Sequence, residues 1–153
     1  MKYEEVLNKI KLLRKSINIS QDEMANYLEI DRTTYNHYEN NYHTIPIKHM
    51  IAISNYFQVS IDYIFGFTIE ESYSNLKSLP NKELISKNIK NFRKINQLTQ
   101  EKLAKILNTN QSVIANYERG RNYIATPFLY TICKKYGVSA DYLLGRINYQ
   151  PKL

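Results

Sequence analysis

Two short stretches carry side chains suited to reading the edges of nucleic-acid bases. From Gln111 to Tyr117 a helical period sets Val113, Ile114 and Tyr117 on one face and leaves Gln111, Ser112, Ala115 and Asn116 outward. Gln and Asn can pair bidentately with an adenine edge in the major groove, and an outward Ala115 can meet a thymine methyl, so this face suits A·T-containing sites. From Arg32 to Tyr38 the same face holds Arg32, Thr33, Asn36 and His37, and Arg32 matches a guanine edge. Beyond these stretches come Arg119, Arg121 and Asn122, and in the earlier one Asn40, Asn41 and Tyr42. These are candidate clamps for a sugar-phosphate backbone, with the weaker clamp in the earlier stretch, where no arginine stands.

Other chemistry finds little support. His37, His43 and His49 stand six apart, which on a helix points them in different directions, so no metal site is expected. The single Cys133 permits no internal disulfide and no cysteine metal cluster, and is expected to be buried as a small hydrophobe. No catalytic triad, phosphate loop or acidic pair is visible, so neither an enzyme nor a cofactor or small-molecule ligand is expected.

The elements that position these faces occur twice. Ile89 to Gly145 aligns on Ile10 to Gly66 without a gap at an offset of 79, with 16 of the 57 paired positions identical. That period exceeds the solenoid range, so each copy is read as a small complete domain. In each, a first helix (Tyr3 to Ile17; Glu83 to Asn96) shows helical apolar spacing, including Val6, Ile10, Leu13 and Ile17, and Ile85, Ile89 and Phe92. Ser20 and Thr99 are N-caps for Gln21 to Leu28 and Gln100 to Leu107, with Glu23 completing a capping box. Asp31 and Asn110 then cap the third helices. Asn40-Asn41 and Arg119-Gly120 end them, since Gly and, less readily, Asn tolerate the left-handed conformation. A fourth helix follows, with Thr126 as cap and Pro127 in its first turn, and Ser60 and Ser139 open a short fifth. The organisation is therefore residues 1–66, a linker at 67–80, residues 81–146 and a C-terminal tail at 147–153. Thr68 with Glu71, and Ile69, Tyr73 and Leu76, predict a short helix in the linker.

Helix, tight turn and helix with Ala25 or Ala104 in the first helix is a helix-turn-helix pattern. Thr99-Gln-Glu-Lys-Leu-Ala104, Asn116-Tyr-Glu-Arg-Gly120 and Val138-Ser-Ala-Asp-Tyr-Leu-Leu-Gly145 resemble the lambda-repressor-like, Cro-type helix-turn-helix family. Ser20-Gln-Asp-Glu-Met-Ala25, His37-Tyr-Glu-Asn-Asn41 and Val59-Ser-Ile-Asp-Tyr-Ile-Phe-Gly66 repeat the pattern. The resemblance implies an all-α fold of two tandem five-helix domains with their third helices in the major groove. It also implies that Gln21 and Gln100 hold phosphates, and that Arg14 with Glu39, and Arg93 with Glu118, are structural ion pairs.

Charge separates the copies. Residues 1–66 carry seven Lys and Arg against eight Asp and Glu; residues 67–80, one against two; residues 81–153, thirteen against four. A half with a net charge of +9 implies a polyanionic partner, and double-stranded DNA fits best. No run approaches a membrane span and the start lacks an apolar leader, so a cytoplasmic protein is expected. The expected function is sequence-specific transcriptional regulation, as a repressor of bacterial or phage type, with residues 81–146 the main DNA binder. The alternative is a protein-binding regulator of anti-repressor or antagonist type. Within the DNA-binding reading, a second form is a homodimer in which only residues 81–146 read bases and residues 1–66 serve dimerisation or a protein partner through exposed Tyr35, Tyr42, His37 and His43.

Overall fold

The computed structural model describes residues 2–153, and they form two compact units that divide between Ser78 and Leu79. The first contains α1 (Tyr3–Ser16), α2 (Gln21–Tyr27), α3 (Arg32–Glu39), α4 (Ile47–Phe57) and α5 (Ile61–Phe65). The second contains α6 (Lys82–Ile95), α7 (Gln100–Ile106), α8 (Gln111–Glu118), α9 (Thr126–Tyr136) and α10 (Ala140–Leu143). No strand occurs among the described residues. The bounds of α6 to α9 repeat those of α1 to α4 at the offset of 79, so the sequence repeat is a structural one.

The caps fix where each helix starts. Ser20, Asp31 and Ser60 accept from the backbone N–H groups of Glu23, Thr34 and Tyr63, and Thr99, Asn110 and Ser139 do the same for Lys102, Val113 and Tyr142. The Ser20 and Glu23 capping box is closed on both sides. Thr126 is not the cap of α9. Ala125 holds that position, while Thr126 lies in the first turn, fully buried like its counterpart Ile47, so its hydroxyl is turned into the fold. Asn41 and Gly120 end the third-helix segments at φ +59° and +68°, the left-handed region.

In each unit the first helix packs against the third and the fifth, and the second against the third. Ala25 and Ala104 are buried at the second-helix contact beside Met24 and Leu103, and a small side chain there lets the backbones approach. Val6 and Ile10, and Ile85, Ile89 and Phe92, face the two cores; Leu13 is only half-buried, and Ile17 is exposed because α1 has already ended. The fifth helix is tied to the first by different residues at paired positions. Lys9 Nζ donates to the Tyr63 carbonyl at 2.5 Å, whereas Asn88 Nδ2 donates to the carbonyls of Tyr142 at 3.2 Å and Leu143 at 3.3 Å. Gly145 sits at φ +67°, and a Cβ there would fall 2.5 Å from Leu84 Cδ2, so close packing and backbone conformation both favour glycine.

The linker helix does not form. Residues 67–80 are irregular, and residues up to Ser78 belong to the first unit. Thr68 Oγ1 accepts from the Glu70 N–H at 3.1 Å, a local turn rather than a helix cap. The Glu71 carbonyl instead accepts from the backbone N–H of buried Ser60 at 2.6 Å, and the Tyr73 hydroxyl donates to the carboxylate of buried Asp62 at 3.0 Å. Satisfying those buried groups needs an extended strap, which half-buries Tyr73 and Leu76 and leaves Ile69 94% exposed, so the three no longer share one face. The tail behaves alike in the second unit, where Gln150 Oε1 accepts from the Ser139 N–H at 3.0 Å and Ile147 is buried.

Candidate nucleic-acid interface

The third helix of each unit is held by a short polar relay. In the second unit Arg93 grips Glu118 with both ends of its guanidinium, Nε to Oε1 and Nη2 to Oε2, and its Nη1 caps the Leu98 carbonyl at 2.8 Å. Gln100 Nε2 donates to Glu118 Oε2 at 2.9 Å, and Gln111 Nε2 donates to Gln100 Oε1 at 2.7 Å. In the first unit Arg14 pairs with Glu39 at 2.7 and 3.0 Å and caps the Ile19 carbonyl, and Gln21 Nε2 donates to Glu39 Oε2 at 2.9 Å. The next link differs: Asn36 Nδ2 donates to Gln21 Oε1 at 3.3 Å.

Burial would raise the pKa of the Glu39 and Glu118 carboxyls, but hydrogen bonds from arginine and glutamine outweigh it and hold both below the usual carboxylate range. The same bonds raise the pKa of Arg14 and Arg93. These four charges sit at the joint between the first helix and the end of the third.

Outward from the relay, Gln111 and Ser112 are exposed and Asn116 is half-buried at the edge of the same face. Ala115 departs from its expected place: it is 4% exposed and cannot meet a thymine methyl. It shares an i, i+3 face with Glu118, which turns inward to Arg93, and Val113 is correspondingly only half-buried. In the first unit Arg32 and Thr33 are exposed, and Asn36 and His37 are half-buried. Tyr35, expected outward, is fully buried. Tyr42 is 73% exposed and meets the His37 ring edge-on at 5.7 Å, while His43 meets it at 4.6 Å.

Arg119, Arg121 and Asn122 are exposed just past α8, and Arg121 Nη1 reaches Asn116 Oδ1 at 3.5 Å. Asn40 and Asn41 are exposed past α3, and Asn40 Nδ2 donates back to the Asn36 carbonyl at 2.9 Å. Gln21 and Gln100 head their helices half-buried, each with one amide hydrogen already committed to a carboxylate. Lys82 stands outside the sequence motifs. Its Nζ donates to the Arg121 carbonyl at 3.2 Å and lies 4.8 Å over the Tyr123 ring, placing a further cation beside the turn after α8. Its paired residue is Tyr3, so the repeat gave no signal for it.

Among the described residues no group of three or more His, Cys, Asp and Glu is arranged to hold a metal ion. A cavity of about 310 Å³ lies between α6, the α9 to α10 turn and Gln150, floored by Phe92, Tyr136, Tyr142 and Leu143. None of the outward residues of α8 lines it.

Residues 10–64 match the family described as Helix-turn-helix, and residues 86–148 match that described as Helix-turn-helix domain. The chain is 36% identical over 62 residues to antitoxin PezA of Streptococcus pneumoniae, an alignment covering 40% of this chain and 39% of that protein. It is 32% identical over 65 residues to control protein C.SmaI of Serratia marcescens, covering 42% of this chain and 77% of that protein. The chain thus spans about two fifths of the antitoxin's length and about three quarters of the control protein's. No solved structure matches it with comparable significance.

Proposed function

This chain belongs to the lambda-repressor-like helix-turn-helix family, and we propose that it is a sequence-specific double-stranded DNA-binding regulator, a cytoplasmic repressor of transcription, with α8 as its principal reading helix. One observation carries the reading. Gln111, Ser112 and Asn116 form the outward edge of a helix pinned from behind by the Arg93 and Glu118 pair, with Arg119 and Arg121 exposed beside it. Such a face can enter a major groove without repacking the core. Short amide and hydroxyl side chains then meet base edges while the arginines engage phosphates.

The first unit reads a different half-site, with Arg32, Thr33 and His37 at the positions of Gln111, Ser112 and Asn116. A non-palindromic operator follows if one chain covers both half-sites. The test is recovery of bound sites from a randomised duplex library by the full chain. Enrichment of an A·T-containing motif supports the reading; affinity for duplex that stays millimolar at low salt and enriches no motif rejects it.

A second reading has its own support. The antitoxin relative, the near-neutral charge of residues 1–66 and the exposed Tyr42 beside His37 and His43 favour a protein partner on the first unit. Under it, Tyr42→Ala leaves duplex affinity unchanged and abolishes assembly with that partner, measured by sedimentation.

A further inference from the structure

The relay that holds each third helix ends on a different residue in the two units, and the difference sits on the face proposed to read bases. Gln21 and Gln100 are fixed in the same way, each amide nitrogen donating to a glutamate Oε2 at 2.9 Å. That bond turns each Oε1 toward the third helix, where it needs a donor. In the second unit the position paired with Asn36 is Ala115, whose methyl cannot donate, and Gln111, one turn earlier, supplies the bond at 2.7 Å. In the first unit the position paired with Ala115 is Asn36, which supplies the bond itself at 3.3 Å. Arg32, paired with Gln111, is thereby released. Its side chain is 65% exposed and its ionic partner is Asp22, itself 63% exposed, 3.8 Å away.

We propose that residues 32 and 36, and residues 111 and 115, are coupled specificity pairs, in which the second member decides whether the first is clamped to the preceding helix or left to swing. This rests on the DNA-reading role proposed above. A clamped Gln111 has one amide hydrogen committed and presents its remaining hydrogen and its oxygen in a fixed orientation, the pattern an adenine edge accepts. Arg32 makes no hydrogen bond to Gln21 and is tied to the preceding helix only by its 3.8 Å ion pair with exposed Asp22, a contact that a guanine edge can displace. Asn36 is then a positioning residue, not a base contact, and so is Ala115 by virtue of what it lacks. Replacing Asn36 by alanine opens Gln21 Oε1 to the Arg32 guanidinium, which is drawn back from the groove.

Two measurements on the full chain test this. The first needs no DNA: the side-chain amide resonances of Gln111 are followed by NMR in wild type and in Ala115→Asn. The proposal expects a dispersed, slowly exchanging pair in wild type that collapses toward solvent-exposed values in the variant; resonances unchanged in Ala115→Asn overturn it. The second compares selected duplex motifs of wild type, Asn36→Ala, Arg32→Gln and the double variant. At one base pair, Asn36→Ala is expected to lower guanine preference by about tenfold with Arg32 intact, and the double variant to favour adenine there. If Asn36→Ala leaves that base pair unchanged, or alters a separate one independently of Arg32, the coupling is wrong while DNA reading stands. If wild type selects no motif while the Gln111 resonances behave as expected, the clamp stands as packing only, and the specificity role falls with the DNA-reading role.

Discussion

Arg146 and Asp141 form an ion pair at 2.9 Å with side chains 1% and 0% exposed, closing the last helix of the second unit onto the tail. The first unit meets the same need otherwise: Phe67 stands at the position of Arg146, and buried Asp62 accepts instead from the Tyr73 hydroxyl of the strap. Removing one partner of a buried charge pair costs about 3 to 5 kcal/mol, whereas losing one hydrogen bond to a charged group costs about 1.5 to 3 kcal/mol. Arg146→Ala is therefore expected to destabilise its unit more than Tyr73→Phe destabilises the other. Urea unfolding followed by circular dichroism ranks the two, and equal or reversed losses would contradict the assignment.

Arg93→Ala strands Glu118, whose side chain is 3% exposed, and removes the cap on the Leu98 carbonyl. A loss of about 3 kcal/mol and a fall in melting temperature of more than about 10 °C are expected, with the order of base preferences retained. Calorimetry and site selection on the same variant decide it. Normal stability with lost discrimination would make Arg93 part of the reading surface.

Acid should act through the same joints. The folded carboxyls of Glu39 and Glu118 titrate below the unfolded value of about 4.3, so their contribution is complete above that pH. It is lost as pH falls through the folded pKa values, where the unfolded chain already binds the protons. Half-buried His49, held below the ordinary imidazole pKa, should lower the midpoint of urea unfolding gently as pH falls below about 6.5, and the two carboxyls should add a further drop below about 4.3. Glu118→Gln, less stable at pH 7, should show a smaller drop in its unit. An undiminished drop would place the acid sensitivity elsewhere.

Much of this was legible from residues alone, because helix ends are local chemistry. Ser20, Thr99, Asp31, Asn110, Ser60 and Ser139 cap where short polar side chains precede apolar periods, and the repeat allowed each unit to be read against the other. What escaped depends on burial set by tertiary partners. Ala115 and Tyr35 were placed outward by position on an eight-residue helix, where a rotation of one residue is about 100°; packing against two helices turned both inward. The linker carried a helix signature, but buried Ser60 and Asp62 offered its backbone and Tyr73 stronger partners than its own first turn did. Lys82 and the switch of the relay from Gln111 to Asn36 are contacts between residues far apart in sequence, with no local signal.

The phosphate clamp is a matter of charge and should respond to salt. For duplex binding the slope of log K against log salt is about −0.9 for each phosphate neutralised. Arg121→Ala should make it shallower by about one unit with the preferred sequence unchanged, and Lys82→Ala should do the same to a smaller extent because its ammonium also serves the Arg121 carbonyl. Fluorescence anisotropy from 50 to 400 mM salt gives the slope. No change in either variant would remove that turn from the interface.

The central claim is that the outward edge of α8 distinguishes base pairs, and the most direct measurement is site selection from a random duplex library by the full chain and by Asn116→Ala. Asn116 is half-buried at the helix edge and takes no part in the relay. The account expects a discrete motif for the wild type, and for the variant the same motif with preference at one base pair reduced by about tenfold or more and the salt slope preserved. An identical motif from both proteins, or none from either, would contradict it.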